Sequence, residues 1–200
     1  MTKYVLATAN PGKIKEMSKI LSNFNIDIIT RSDLDIDIEI EETGTTFLEN
    51  AKLKAIEICS LSDMPAIADD SGLIVDALGG EPGVYSSSYG GIELTSDERC
   101  KYLLDKMENI KQRNAKFVCT IVCAFPDGSL LTATGECSGK ITTMPRGLRG
   151  FGYDPVFLPD GKDKTMAELS DCEKNEISHR GKALSKFYEL LKSYEEGICI

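Results

Sequence analysis

A chain of 200 residues that is 42% hydrophobic and 28% charged has the make-up of a folded soluble protein, long enough for one large domain or two lobes. Its formal charge of −9, from 23 basic against 32 acidic residues, argues against a nucleic-acid backbone as the main partner but leaves room for a small phosphorylated ligand held by a few lysines. No apolar run approaches membrane-spanning length, and Met1 to Thr8 turns polar too soon for a signal peptide. Seven cysteines, an odd number without a Cys-x-x-Cys pair, argue against a disulfide framework or structural zinc, so a reduced, cytoplasmic protein is expected.

Tyr4 to Thr8 reads as a short strand and Ala9-Asn10-Pro11-Gly12-Lys13 as a turn. Ile14, Met17, Ile20, Leu21 and Phe24 then share one helix face, and Ile26 to Thr30 is the next strand, so the chain opens as an α/β unit. A turn into a helix N-terminus collects free N–H groups and attracts anions, phosphate above all, although the P-loop pattern is absent and an ordinary Pro-Gly turn fits the same residues. Asp33 to Glu41 alternates acidic residues with Leu34, Ile36, Ile38 and Ile40, which predicts a strand with a solvated acidic edge. Glu41-Glu42 follows beside Gly44. Thr46 and Glu49 form a capping box for a helix to about Leu61, with Phe47, Ala51, Ala55 and Ile58 as its buried stripe and Asn50, Lys54 and Glu57 as its polar one.

Pro65 opens a short strand, Ala66 to Ala68, that runs into Asp69-Asp70-Ser71-Gly72. Those four residues fit a surface turn. They equally fit a carboxylate pair neutralised by a cation, and oxygen ligands without thiol or imidazole suit magnesium. Leu73 to Gly83 reads as a short hairpin and glycine loop, and Thr95 with Glu98 caps a helix ending near Asn109. Lys116 to Phe125 is a strand buried on both faces, Asp127-Gly128 a hairpin turn, and Ser129 to Ile141 the return strand, belonging to a second lobe or to an extension of one mixed sheet. Pro145 to Pro155 combines glycines, Arg146, Arg149, Phe151, Tyr153 and Asp154 in one loop, a recognition site more than a connector. Ser170 and Glu173 cap a short helix. Ser178-His179-Arg180 opens the last one, which buries Ala183, Leu184, Phe187, Leu190 and Leu191.

In order along the chain, Leu6-Ala7-Thr8-Ala9-Asn10-Pro11-Gly12-Lys13, Glu41-Glu42-Thr43-Gly44, Phe47-x-Glu49-Asn50-Ala51 with Lys54-Ala55, Ala68-Asp69-Asp70-Ser71-Gly72-Leu73, Gly79-Gly80-x-Pro82-Gly83, Gly150-Phe151-Gly152-Tyr153-Asp154-Pro155, Glu173-Lys174 and Ile177-Ser178-His179-Arg180-Gly181 resemble the inosine triphosphate pyrophosphatase family, the Ham1-like or RdgB-type enzymes. The resemblance runs from residue 5 to about residue 184, and Ala9 stands where many members have glycine. It implies an α/β fold over residues 1–200, an elongated mixed sheet flanked by helices in two lobes with a central nucleotide-binding cleft. It also implies a magnesium-dependent homodimer that hydrolyses ITP, dITP and XTP to the monophosphate and pyrophosphate. Carried over residue by residue, Thr8, Ala9, Asn10, Pro11, Gly12 and Lys13 hold the triphosphate. Asp70 is the general base and a metal-linked carboxylate, and Glu41, with Glu42 as the alternative, binds magnesium. Ser71, Phe151, Gly152, Tyr153, Asp154, Lys174, His179 and Arg180 contact the nucleotide, and Lys54 and Asn50 serve phosphate or metal.

The residues fit that chemistry. Hydrolysis between the α and β phosphates needs an activated water, a cation to offset charge and donors on the leaving pyrophosphate. Arg180, a fork of donors without an acceptor, suits the carbonyl at purine position 6 and has nothing to offer adenine's amino group. Two other readings are a pyrophosphatase of different base preference, similar to the Maf group, and a nucleotide sensor without turnover. The Phe-Gly-Tyr-Asp loop and Ser-His-Arg segment favour the first reading over the Maf-like one, and the full carboxylate set argues against the sensor.

Overall fold

Residues 3–197 are described by the structure, a computed structural model, as an α/β protein with a mixed six-stranded sheet. In chain order the elements are β1 (Lys3–Leu6), α1 (Pro11–Asn23), β2 (Asp27–Thr30), α2 (Phe47–Ser62), β3 (Ala66–Val75), α3 (Ser96–Lys106), β4 (Asn114–Ala124), β5 (Leu130–Ile141), β6 (Phe157–Pro159), α4 (Asp171–Ile177) and α5 (His179–Glu195). The strand order is β2-β1-β3-β4-β5-β6. β1 runs parallel to β2 and β3, and β5 runs antiparallel to β6. The chain divides into two compact units. The first holds residues 3–70, Cys119–Gly135 and 180–197; the second holds Ser71–Val118 and Glu136–His179.

Period-two alternation builds the first unit. Tyr4 and Leu6 of β1, Ile67 of β3 and Cys119, Ile121 and Cys123 of β4 pack with Met17, Ile20 and Leu21 of α1 and Ala183, Leu184 and Phe187 of α5. The alternate residues Val5, Ala7, Ala66, Ala68, Val122 and Ala124 pack on Ala51, Ala55, Ile58 and Cys59 of α2. The sheet is therefore covered on both faces, which explains why its strands read as continuous apolar runs. In the second unit Leu73, Val75, Phe117, Ile141 and Phe157 form one core with Cys100, Leu103 and Met107 of α3.

Helix starts are where the capping boxes place them: Thr46 with Glu49, Thr95 with Glu98, and Ser170 with Glu173 each make the reciprocal pair of hydrogen bonds. α1 begins at Pro11, inside the expected turn, because the Asn10 side chain accepts from the Lys13 N–H and Pro11 suits the first helical position.

Two expectations fail. Asp33 to Glu41 is not a strand. Thr30 and Asp33 make a capping box that starts a single 3-10 turn over Arg31–Leu34, and Asp35 then takes a left-handed conformation. Leu34, Ile36, Ile38 and Ile40 do turn inward together against the α2 core, so the alternation is one of burial without a ladder. Secondly, β3 does not stop at Ala68 for a turn at Gly72 but continues to Val75. No repulsion breaks the strand at Asp69-Asp70, because successive residues of a strand point to opposite faces. β6, three residues ending in Pro159, is too short to carry a readable period.

Six cysteines among the described residues are free thiols, and all but Cys172 are buried; Cys199 lies outside the described residues. No helix among the described residues is long and apolar enough to cross a membrane.

Candidate active site

The two adjacent carboxylates of β3 are separated by the pleat. Asp69 follows Ile67 onto the face covered by α1 and α5; Asp70 follows Ala68 onto the face covered by α2. Each meets its own set of partners within the first unit.

Asp69 Oδ2 lies 3.1 Å from Lys13 Nζ and accepts from Arg180 Nη2 at 3.1 Å. Arg180 Nη1 donates to Glu16 Oε2 at 2.5 Å. Arg180 is almost fully buried at 2% exposure, so these two carboxylates are what neutralise it there. Burial pushes the Asp69 carboxyl up, but the charges of Lys13, Arg180 and Lys54 outweigh it and hold the group far below the usual carboxylate range. On this face the carboxylates Asp69 and Glu16 meet the cations Lys13 and Arg180.

Asp70 stands in the opposite situation. Asn50 Nδ2 donates to its Oδ2 at 3.3 Å, and Lys54 Nζ donates to its Oδ1 at 3.2 Å. The same ammonium donates to Glu42 Oε1 at 2.6 Å. Burial pushes the Asp70 carboxyl above its ordinary value; Glu42 adds to this, and the lysines oppose it without winning. Two neighbours in sequence are thus pushed in opposite directions, the pattern that separates a fixed anion from a proton acceptor.

α2 positions this second set. Asn50 and Lys54, one turn apart on the predicted polar stripe, are buried and face the sheet. Asn50 Oδ1 also accepts from the Gly44 N–H at 2.8 Å, so one amide joins Asp70 to the segment carrying Glu42. A Cβ at Gly44 would lie 2.6 Å from Asn50 Oδ1 and from Glu49 Cβ, which accounts for a glycine there. Glu41 and Glu42 are both exposed, and the Glu42 carboxylate reaches Lys54. Lys54 and Glu42 also border a cavity of about 280 Å³ together with Thr8, Ala9, Arg31 and Ile38.

Of the predicted phosphate turn, Thr8 is buried and its hydroxyl accepts from the Asn10 N–H at 3.2 Å. Asn10 uses its side chain as the α1 cap, and Pro11 and Gly12 form the first helical turn.

In the second unit Ser71 follows Asp70 in β3, half-buried. The 150–154 loop is fixed and is no loose connector. Asp154 Oδ2 accepts from the Phe151 N–H at 2.9 Å and pairs with Lys174, whose ammonium lies 5.0 Å from the centre of the Phe151 ring. The Gly152 carbonyl meets Cys100 Sγ at 3.2 Å, and the Tyr153 hydroxyl donates to the Ser86 carbonyl at 3.0 Å. Gly150 has φ +75°, and a Cβ there would lie 2.0 Å from Asp154 Oδ2. His179 is buried with its ring stacked on Phe117, 4.7 Å between centroids at 13°.

Sequence reasoning missed Glu16. Its signal is an acidic residue three positions after Lys13 and next to Met17, at the edge of the apolar stripe of α1, where a charge is costly to bury without a partner. Arg180, expected at the purine base, directs Nη1 at Glu16 and Nη2 at Asp69.

The Ham1 family model matches residues 4–190. A dITP/XTP pyrophosphatase from Synechocystis is 49% identical over 93% of this chain and 93% of its own length; the Escherichia coli protein of the same name is 46% identical over 96% of this chain and all of its own. Among solved structures, a HAM1 protein from Coxiella burnetii superposes with a TM-score of 0.88 at 40% identity, covering 96% of this chain and all of that one. With one family model spanning nearly the whole chain, and sequence and fold in agreement with it, this protein belongs to the Ham1 family.

Proposed function

We infer that the protein hydrolyses the non-standard purine nucleoside triphosphates dITP, XTP and ITP to the monophosphate and pyrophosphate, with Asp70 activating the water and magnesium as the metal. The observation that carries the reading is Asp70 itself, a buried carboxyl pushed up from its usual value and facing Glu42 across a single cation position. The relatives named for this reaction match the chain nearly end to end.

Among the described residues no group of three or more His, Cys, Asp or Glu gathers, so the protein's own share of a metal site is the pair Glu42 and Asp70. That share fits magnesium, which is commonly held by one or two carboxylates with water and substrate phosphates completing its shell. Glu42 suits the role better than Glu41 because its carboxylate faces the same position as Asp70. When bound, magnesium offsets the charge of the triphosphate. The chain's own residues do the rest. Asp70 accepts a proton from water, with Asn50 fixing one of its carboxylate oxygens. Lys13 and the N-terminus of α1 offer donors to phosphate. In the second unit Phe151, Lys174 and the 150–154 backbone are assigned to the base, where a donor that pairs with a carbonyl at position 6 leaves adenine's amino group unpaired. The working form is read as a cytoplasmic homodimer, which sedimentation of the purified protein tests.

Incubation with ITP, dITP, XTP, GTP, ATP and pyrimidine triphosphates, following both phosphate products, tests the assignment. We expect pyrophosphate from ITP, dITP and XTP far faster than from ATP, and loss of activity in EDTA that magnesium restores. Orthophosphate as the first product refutes the cleaved bond. A preference for pyrimidine substrates favours a Maf-like enzyme, and binding without turnover a sensor.

A further inference from the structure

Lys54 is the only cation that the structure sets against both Glu42 and Asp70 among the described residues, at 2.6 and 3.2 Å. Resting on the metal reading above, we propose that the Lys54 ammonium is a resident cation that closes the metal position in the nucleotide-free protein, so that metal enters stably only with a triphosphate that draws the lysine away.

Charge and room both support this. On the other face of the sheet Asp69 and Glu16 are paired with Lys13 and Arg180. Glu42 and Asp70 carry two negative charges, and Lys54 already neutralises one. A divalent ion added beside an unmoved ammonium, against the same two carboxylates, places like charges within a few ångströms where Asp70 and Lys54 are buried. A triphosphate reverses the balance by bringing several negative charges of its own. Lys54 has somewhere to go, since it borders the cavity of about 280 Å³ whose wall includes Thr8 and Ala9 of the phosphate turn. A point charge on a flexible four-carbon stem suits an exchange of partners; a rigid guanidinium fork does not. Asn50 stays behind to hold Asp70 in place.

The test is Mn²⁺ uptake by the nucleotide-free protein, read by electron paramagnetic resonance, for wild type, Lys54→Met and Lys54→Arg, and for wild type with a non-hydrolysable ITP analogue. Wild type and Lys54→Arg are expected to bind Mn²⁺ weakly, Lys54→Met about tenfold or more tightly, and the analogue is expected to tighten uptake by wild type. Lys54→Gln, which keeps hydrogen-bond donors without the charge, serves if Lys54→Met does not fold. Mn²⁺ should also raise the melting temperature of the neutral variant more than that of wild type. Equal affinity in wild type and the neutral variants, with uptake by the wild-type complex intact, overturns the role of Lys54 alone. No Mn²⁺ uptake by wild type even with the analogue overturns the metal reading, and this proposal with it.

Discussion

Asp70→Asn is expected to lower kcat on ITP by about 100-fold or more, the usual size of a general-base contribution, while substrate binding survives. The amide keeps the shape of the carboxylate and one acceptor oxygen for the donors Asn50 and Lys54, but it cannot take a proton from water. The wild-type rate should fall at acidic pH, since the base is active only when ionised. The substitution should remove this acidic limb. Stopped-flow or steady-state turnover across pH, beside equilibrium binding of a non-hydrolysable analogue, gives both readouts. Near wild-type turnover would move the proton acceptor elsewhere.

Arg180→Ala should cost about 3–5 kcal/mol of stability, the range for removing one member of a buried ion pair. Asp69 keeps Lys13, but Glu16 and Asp69 both lose a buried guanidinium. Since that guanidinium is held by carboxylates, the variant should reduce ITP and ATP hydrolysis by the same factor. Chemical denaturation and paired kcat/KM values check the two halves. A loss confined to ITP would show that Arg180 leaves its carboxylates to read the base.

Much of this was legible in the residues, and the failures share one cause. Capping boxes at Thr46, Thr95 and Ser170 are local devices whose partners lie three residues away, so sequence alone fixes them. The polar stripe Asn50–Lys54 was visible as two residues one turn apart. What it faces was not, because that depends on which face of β3 Asp70 takes. Asp69-Asp70 looked like one charge cluster at a turn. It is two sites back to back, since β3 runs on to Val75 and the pleat divides the pair. The alternating run from Asp33 predicted a strand because alternation reports one-sided burial, and ladder pairing is a separate matter set by neighbours far along the chain. Glu16 and Arg180 are 164 residues apart, so no local pattern joins them.

The division of labour between adjacent carboxylates is tested most directly by melting Asp69→Asn and Asp70→Asn side by side across pH. Asp69 has its folded-state pKa depressed, so its contribution to stability is present above the unfolded carboxylate value of about 4 and fades as pH falls below it. Asp69→Asn should therefore lower the melting temperature at neutral pH by about 6 °C or more and flatten the acid limb of the stability curve. Asp70→Asn should melt within a few degrees of wild type, as a group whose carboxyl is already pushed up contributes little by being ionised. A large loss of stability in Asp70→Asn with none in Asp69→Asn would contradict the account.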